Sequence, residues 1–394
     1  MRPIRSATLA LALVVLAGSV TGCQSSGEEQ DTGDIVIAAD LELSGIWAEL
    51  GTTYQRALEL KVEQINESGV LGARKLRLEV KDNRSDPSES LRNITDFTSD
   101  PAVKAIIMGS CNECVTGAAR TIAEKRVPTI ALASASEVVN PVTERRYLFK
   151  LGPNAADNAA MLVAELKRQR IRDVGLLHTS DSYGREGQEA VTAELKKAGI
   201  KLVETRQIRA TDTNVSQAVR ALTEQQPAAL IIWTSAEQAT LAAVDARKLG
   251  YDGKLFLDAG AADALFLSSE AAKAADGAVM VFTETMVIDD VIANTPAKAL
   301  RKQWFRNYTS RFGGYAGYSS FAADALQLVV DAVMRSGSSA EEVQRETVRD
   351  VLETLRLDGL SGPIRMTPDN HSGLMRQALT MLVARSGRWR LAGS

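Results

Sequence analysis

Three cysteines and two histidines are all that 394 residues offer toward soft-metal chemistry. Cys111 and Cys114 have no second closely spaced ligand pair to complete a zinc site, so no metal is expected. The chain has no Gly-x-Ser-x-Gly elbow, no glycine-rich phosphate loop and no His-Glu-x-x-His motif. The usual signatures of acyl transfer, nucleotide binding and zinc proteolysis are therefore missing. Glu113 and Asp258 supply an acid and a base with no nucleophile between them, and His178 and His371 fall where structural histidines fall; neither an enzyme nor a cofactor is expected. An excess of one charge is also missing. Lys and Arg number 46 against 49 Asp and Glu, for a net charge of −3 without long blocks. No basic face exists to displace counterions from nucleic acid or to hold an anionic membrane. Beyond the first 22 residues, no apolar run is long enough to span a bilayer.

What is present begins at the N-terminus. Met1-Arg2-Pro3-Ile4-Arg5 carries two positive charges and precedes an apolar run over residues 7–20. Small residues then lead to Cys23, the arrangement of a secretory signal peptide. Val20-Thr21-Gly22-Cys23 resembles a bacterial lipobox, whose cysteine is diacylated and becomes the first mature residue. The expected layout is a signal peptide over 1–22 and a flexible polar tether over 23–34. Buried acyl chains contribute about 0.8 kcal/mol per CH₂. The protein is thus expected outside the cytoplasm, held on a membrane through Cys23 without crossing it. In that oxidising compartment Cys111 and Cys114 form an even pair. Their CxxC spacing is shared with thioredoxin-like redox sites, but the surrounding pattern is not a thioredoxin sheet, and a structural disulfide is preferred.

Short runs rich in Val, Ile and Leu recur at residues 35–40, 76–82, 103–108, 129–132, 174–178, 202–208, 230–234, 255–257 and 279–282. They have the character of buried parallel strands. Helical patterns alternate with them over 54–66, 88–98, 117–124, 158–167, 187–198, 215–224 and 237–249. Leu58, Val62 and Ile65 line one face of the first of these. Gly69, Gly199 and Gly250 stand where left-handed C-caps are expected. Repeated strand–helix–strand units imply right-handed crossovers and helices on both sheet faces. So many strands favour an α/β protein of two doubly wound parallel sheets over one.

The order of several phrases resembles the branched-chain amino-acid (Leu/Ile/Val) type of periplasmic solute-binding protein. These are Leu43-Ser44-Gly45 with Gly51, Ile65-Asn66 with Gly69 and Gly72, and Asp82-Asn83 with Asp86-Pro87. Val127-Pro128 with Ser134-Ala135-Ser136, Asp181-Ser182-Tyr183-Gly184 and Gly362-Pro363-Ile364 complete the series. The resemblance covers roughly residues 35–390. It implies two lobes joined by three crossing strands, near 149–152, 281–284 and 363–366. Lobe 1 is then 35–150 plus 284–363, and lobe 2 is 151–281 plus 366–394. It further implies a monomer that captures a small molecule in the interlobe cleft, closes by a hinge and delivers its load to an ABC permease complex. The alternative is a ligand sensor reporting to a separate membrane signalling partner.

The resemblance also names the cleft loops. Ser44 and Trp47 follow the first strand, where Trp47 either stacks on a ligand or caps the lobe edge. Asn112 and Glu113 open the helix after the third strand, whose N-terminus suits a carboxylate. Amino-acid binders place a serine where this chain has Glu113, a departure that sets an anion against an anion. Ser134 and Ser136 flank Ala135, which stands at the position of a usual hydroxyl. Tyr183 matches the family well. Ser235 and Asp258 are expected on the second lobe, although the position of the usual ammonium partner is Ala259. The zwitterion clamp is therefore altered, and an amino acid, an amide or a related polar, cationic or aromatic solute is expected.

Overall fold

The computed structural model describes residues 33–262 and 269–393. The signal peptide, Cys23 and all but the last two tether residues lie outside them. The first sheet contains β1 (Ile35–Leu41), β2 (Leu76–Asp82), β3 (Val103–Met108), β4 (Thr129–Ala131) and β5 (Leu148–Lys150). Its helices are α1 (Ala48–Ser68), α2 (Pro87–Ser99) and α3 (Asn112–Lys125). The chain then enters α4 (Ala155–Arg168) and a second sheet. That sheet holds β6 (Asp173–Thr179), β7 (Lys201–Ile208), β8 (Ala229–Trp233), β9 (Lys254–Leu257) and β10 (Val279–Thr283). Between its strands run α5 (Ser182–Ala198), α6 (Ser216–Thr223), α7 (Ala236–Lys248) and α8 (Ser269–Ala274). After β10 the chain forms α9 (Pro296–Phe312), α10 (Ser319–Ser336) and α11 (Arg345–Leu352), then a small ribbon of β11 (Arg356–Asp358) and β12 (Pro363–Arg365). It finishes in the second sheet as β13 (Leu379–Arg385) and β14 (Arg388–Leu391).

The first sheet has strand order β2-β1-β3-β4-β5 and is parallel throughout. The second has order β14-β13-β10-β9-β8-β6-β7, so its first five strands in chain order repeat the 2-1-3-4-5 pattern. Each sheet therefore reverses direction once, between β1 and β3 and between β6 and β8. Crevices at such points are where open α/β sheets bind ligands.

Alternation explains why β1 reads as a continuous apolar run. Ile35, Ile37, Ala39 and Leu41 join one core, while Val36 and Ala38 join a second on the opposite face. Both faces are covered, and both exclude water. Gly69, Gly199 and Gly250 all have left-handed φ, of 65°, 67° and 78°. The second sheet departs from the all-parallel expectation at its edge, where β13 pairs antiparallel with β10 and β14. Ser386 and Gly387, with φ of 52° and 72°, form the two-residue turn between β13 and β14, and positive φ at both positions suits a type I′ hairpin.

At the edge of the first sheet, β5 is tied to a later segment of the chain: the Lys150 amide donates to His371 O (3.0 Å) and the Gly373 amide to Lys150 O (2.8 Å). His371 is fully buried and stacks on Phe149 with ring centroids 4.2 Å apart. Its Nδ1 lies 2.8 Å from Leu148 O and its Nε2 3.1 Å from a Glu353 oxygen, which gives it a structural role. The buried Lys150 ammonium donates to Gly152 O (3.0 Å) and Asn154 Oδ1 (2.7 Å), and burial lowers its pKa to about 8.

Candidate functional site

The loops at both sheet switch points face one cavity of about 150 Å³. From lobe 1, the β1–α1 segment brings Ile46, Trp47, Glu49 and Leu50, and the β3–α3 loop brings Ser110, Cys111, Asn112 and Glu113. Ser134, after β4, completes that wall. From lobe 2 come Asp181 and Tyr183 at the start of α5, Ser235 to Glu237 at the start of α7, and Gly260. Tyr318, at the N-terminus of α10, reaches the cavity beside Gly260.

Local chemistry fixes these loops. The Asn112 carboxamide oxygen accepts the amides of Ser134 (3.1 Å) and Ala135 (2.9 Å), stapling two loops together. Ser110 Oγ and the buried Tyr54 hydroxyl share a 2.6 Å hydrogen bond. Beneath them, Glu42 Oε1 accepts the Cys111 amide at 2.9 Å, while Oε2 is buried without a hydrogen-bond partner. A Cβ on Gly109 would lie 1.9 Å from that oxygen, so the carboxyl fits only against a glycine. Burial pushes the Glu42 pKa up to about 7, against the opposing hydrogen bond from Cys111. The sulfur atoms of Cys111 and Cys114 lie at bonding distance, 2.04 Å, and Cys111 Sγ accepts the Cys114 amide as the N-cap of α3.

On lobe 2, Asp181 caps α5 by accepting the Gly184 amide (2.9 Å) and the Thr179 hydroxyl (2.6 Å). Gly184 lets the helix start sit this close to β6, since a Cβ there would be 2.0 Å from Thr179 O. The Tyr183 hydroxyl oxygen accepts the Gly260 amide at 3.0 Å, leaving its own proton to be donated.

Among the described residues, three hydrogen bonds join the lobes around the cavity. The Ser182 amide donates to Glu113 Oε1 (3.1 Å), the Ser136 amide to Glu186 Oε2 (2.7 Å) and the Tyr318 hydroxyl to Ala259 O (2.7 Å). The structure thus shows the two lobes in contact across the cleft.

Of the expected residues, Trp47, Asn112, Glu113, Ser134, Tyr183 and Ser235 are brought together. Three others stand apart. Ser44 donates its hydroxyl to Asp82 Oδ2 (2.6 Å) and its amide to Oδ1, and so fastens the β1 loop to β2. Ser136 is exposed and engages lobe 2 through its amide. Asp258 is fully buried behind Gly260, whose amide it accepts at 3.0 Å. Burial holds its carboxyl well above the ordinary range, which makes it a poor ammonium partner. Ser110, Glu49, Glu237 and Tyr318 line the cavity without having been singled out. Tyr318 was signalled only by Gly313-Gly314-Tyr315-Ala316-Gly317 ahead of the apolar stretch that forms α10.

A larger groove of about 610 Å³ runs between α1, α9 and α10, lined by Lys61, Trp304, Asp324 and Asp331 among others. Its lining among the described residues comes from these helices and residues 357–360, none of it from the second sheet.

A family model described as periplasmic binding protein matches residues 34–388. A Pseudomonas aeruginosa protein described as an amino acid binding protein is 25% identical over 174 residues, 43% of this chain and 46% of its own length. The chain thus matches about half the length of that curated relative. Among solved structures, an extracellular ligand-binding receptor from Rhodopseudomonas palustris HaA2 superposes with TM-score 0.83 at 23% identity, over 91% of this chain and 100% of its own. A leucine binding protein from Thermotoga maritima gives 0.79 at 19%, over 91% and 98%. A solute binding protein of an R. palustris ABC transporter, in complex with benzoate, gives 0.79 at 15%, over 92% and 96%. At these identities the likeness establishes the fold.

Proposed function

Because this chain belongs to the periplasmic binding protein family, whose model matches nearly all of the described residues, we propose that it captures a small solute between its lobes and delivers it to an ABC importer. It is a binding protein rather than an enzyme. One observation carries the reading: a single cavity is walled by loops from both sheets, and three hydrogen bonds bridge the lobes around it. A solute held there touches both lobes only when they are closed, so binding energy becomes closure energy. The ligand shifts the open–closed balance by its difference in affinity for the two states. Lobe 1 is then residues 35–150 and 284–363, and lobe 2 residues 151–281 and 366–394. Export, lipidation of Cys23, a monomeric state and an oxidised Cys111–Cys114 pair belong to the same reading.

A thermal-shift screen of the full chain against amino acids, amides, amines, sugars and aromatic acids tests it. A solute at 100 times its dissociation constant stabilises the native state by about 2.7 kcal/mol. A saturable upward shift that disappears in Trp47→Ala is expected. Silence across the whole panel, or a hit indifferent to Trp47→Ala, contradicts the reading.

A further inference from the structure

Resting on the interlobe cavity as the solute site, we propose that its ligand is a small organic cation with an apolar body, an amine or quaternary ammonium, rather than a carboxylate or a zwitterion. Five helices, α1, α3, α5, α7 and α10, begin at the cavity. Each helix start carries roughly half a positive charge, about +2.5 in all, which by itself would invite an anion. All of these ends except that of α10 already have a carboxylate of their own. Glu49, Glu113 and Glu237 lie in the first turns of α1, α3 and α7, and Asp181 caps α5. All four line the cavity, and no Lys, Arg or His among the described residues does. Glu113, Asp181 and Glu237 by themselves outweigh the roughly +2.5 of the five helix ends.

Several amides that could greet a ligand carboxylate are also occupied. Ser182 N donates to Glu113 and Gly184 N to Asp181. Cys111 N donates to Glu42, Cys114 N to Cys111 Sγ, and Ser134 N to Asn112. Arg185, next to Tyr183, turns its guanidinium to Ser180 O (2.6 Å) and lines no part of the cavity. A ligand carboxylate would therefore meet the acids, with several nearby donors already spent.

The remaining lining suits the body of a cation. Trp47, Tyr183 and Tyr318 present aromatic rings, and Ile46 and Leu50 add aliphatic surface. Aromatic faces attract ammonium groups, more so when water is excluded. The carboxylates surround the cavity without converging: among the described residues, no three His, Cys, Asp or Glu side chains group closely enough to hold a metal ion. Dispersed charge around an aromatic-lined cavity fits an organic ammonium better than a metal ion.

Isothermal titration calorimetry on the detergent-purified full chain tests the class with matched skeletons. One set is isopentylamine, leucine, 4-methylpentanamide and 4-methylpentanoate; the other is phenethylamine, phenylalanine, 3-phenylpropanamide and 3-phenylpropanoate. At least one amine is expected to bind about tenfold or more tightly than its amide, with no detectable binding of the carboxylates. Glu113→Gln keeps an oxygen for the Ser182 amide and removes the charge, so it should weaken the amine about tenfold more than it weakens the amide. Tighter binding of an amino acid or carboxylate overturns the class but keeps the cleft as a solute site, provided Trp47→Ala abolishes it. Failure of both amines, or amine binding indifferent to Glu113→Gln, also overturns the class. Failure of these eight together with every solute of the wider screen overturns the binding reading itself.

Discussion

Glu42 stands under the cavity floor with one oxygen on the Cys111 amide and the other packed against Gly109. Its folded pKa of about 7 exceeds its ordinary value of 4.5, so the folded state binds this proton more tightly than the unfolded chain. The resulting stability is complete below about pH 4.5 and is lost as pH rises through about 7, a loss on the order of 3 kcal/mol. Urea unfolding of the wild type and Glu42→Gln across this window should show the wild type losing about that much relative to the variant; parallel curves would contradict the burial argument. Tyr183→Phe removes one acceptor of the Gly260 amide and a hydroxyl proton left to be donated, and should weaken binding about tenfold by calorimetry. At this scale the sequence was only partly legible. Trp47, Glu113 and Tyr183 could be placed because the loops that carry them follow strands. Ser44 and Asp258 occupy equivalent loops, yet one is captured by Asp82 and the other is sealed behind Gly260. A sequence places a polar residue on a loop without stating which partner its side chain will find.

The helix starts are the elements that make the site. Cys111 caps α3 through its sulfur while its bond to Cys114 closes the loop. Chain entropy assigns so short a closure roughly 2 kcal/mol, less than the ~3 kcal/mol of a 15-residue loop. Replacing both cysteines with serine should cost about that much in urea unfolding, or less where the new hydroxyl caps the helix better. A loss well above ~3 kcal/mol would show that the pair supports more than its loop. Non-reducing mass spectrometry of exported protein should find the two linked. Most parallel strands were legible because both faces are buried and the apolar runs are continuous. The α10 helix was not, since Phe321, Leu326, Leu328, Val329 and Val333 are buried nearly all round it and leave no polar stripe to reveal the period. The three-residue strand β5 was signalled only as a crossing strand near 149–152, and the β13–β14 hairpin was missed because the chain returns there to a distant sheet.

For the whole molecule, the repeated strand order places both switch points against one cavity, and a closed state follows from the bonds that cross it. Tyr318 donates from the lobe 1 side to Ala259 O on lobe 2. Tyr318→Phe removes that bond, reduces the closed fraction and should weaken every ligand by a similar factor, about three- to tenfold. Small-angle scattering should show a correspondingly larger radius of gyration without ligand. The most direct test is hydrogen–deuterium exchange with and without the most stabilising solute of the screen. Protection is expected at once on both lobes, in residues 110–116, 181–185 and 235–238. Protection confined to one lobe, or to the groove between α1, α9 and α10, would contradict capture in the interlobe cleft.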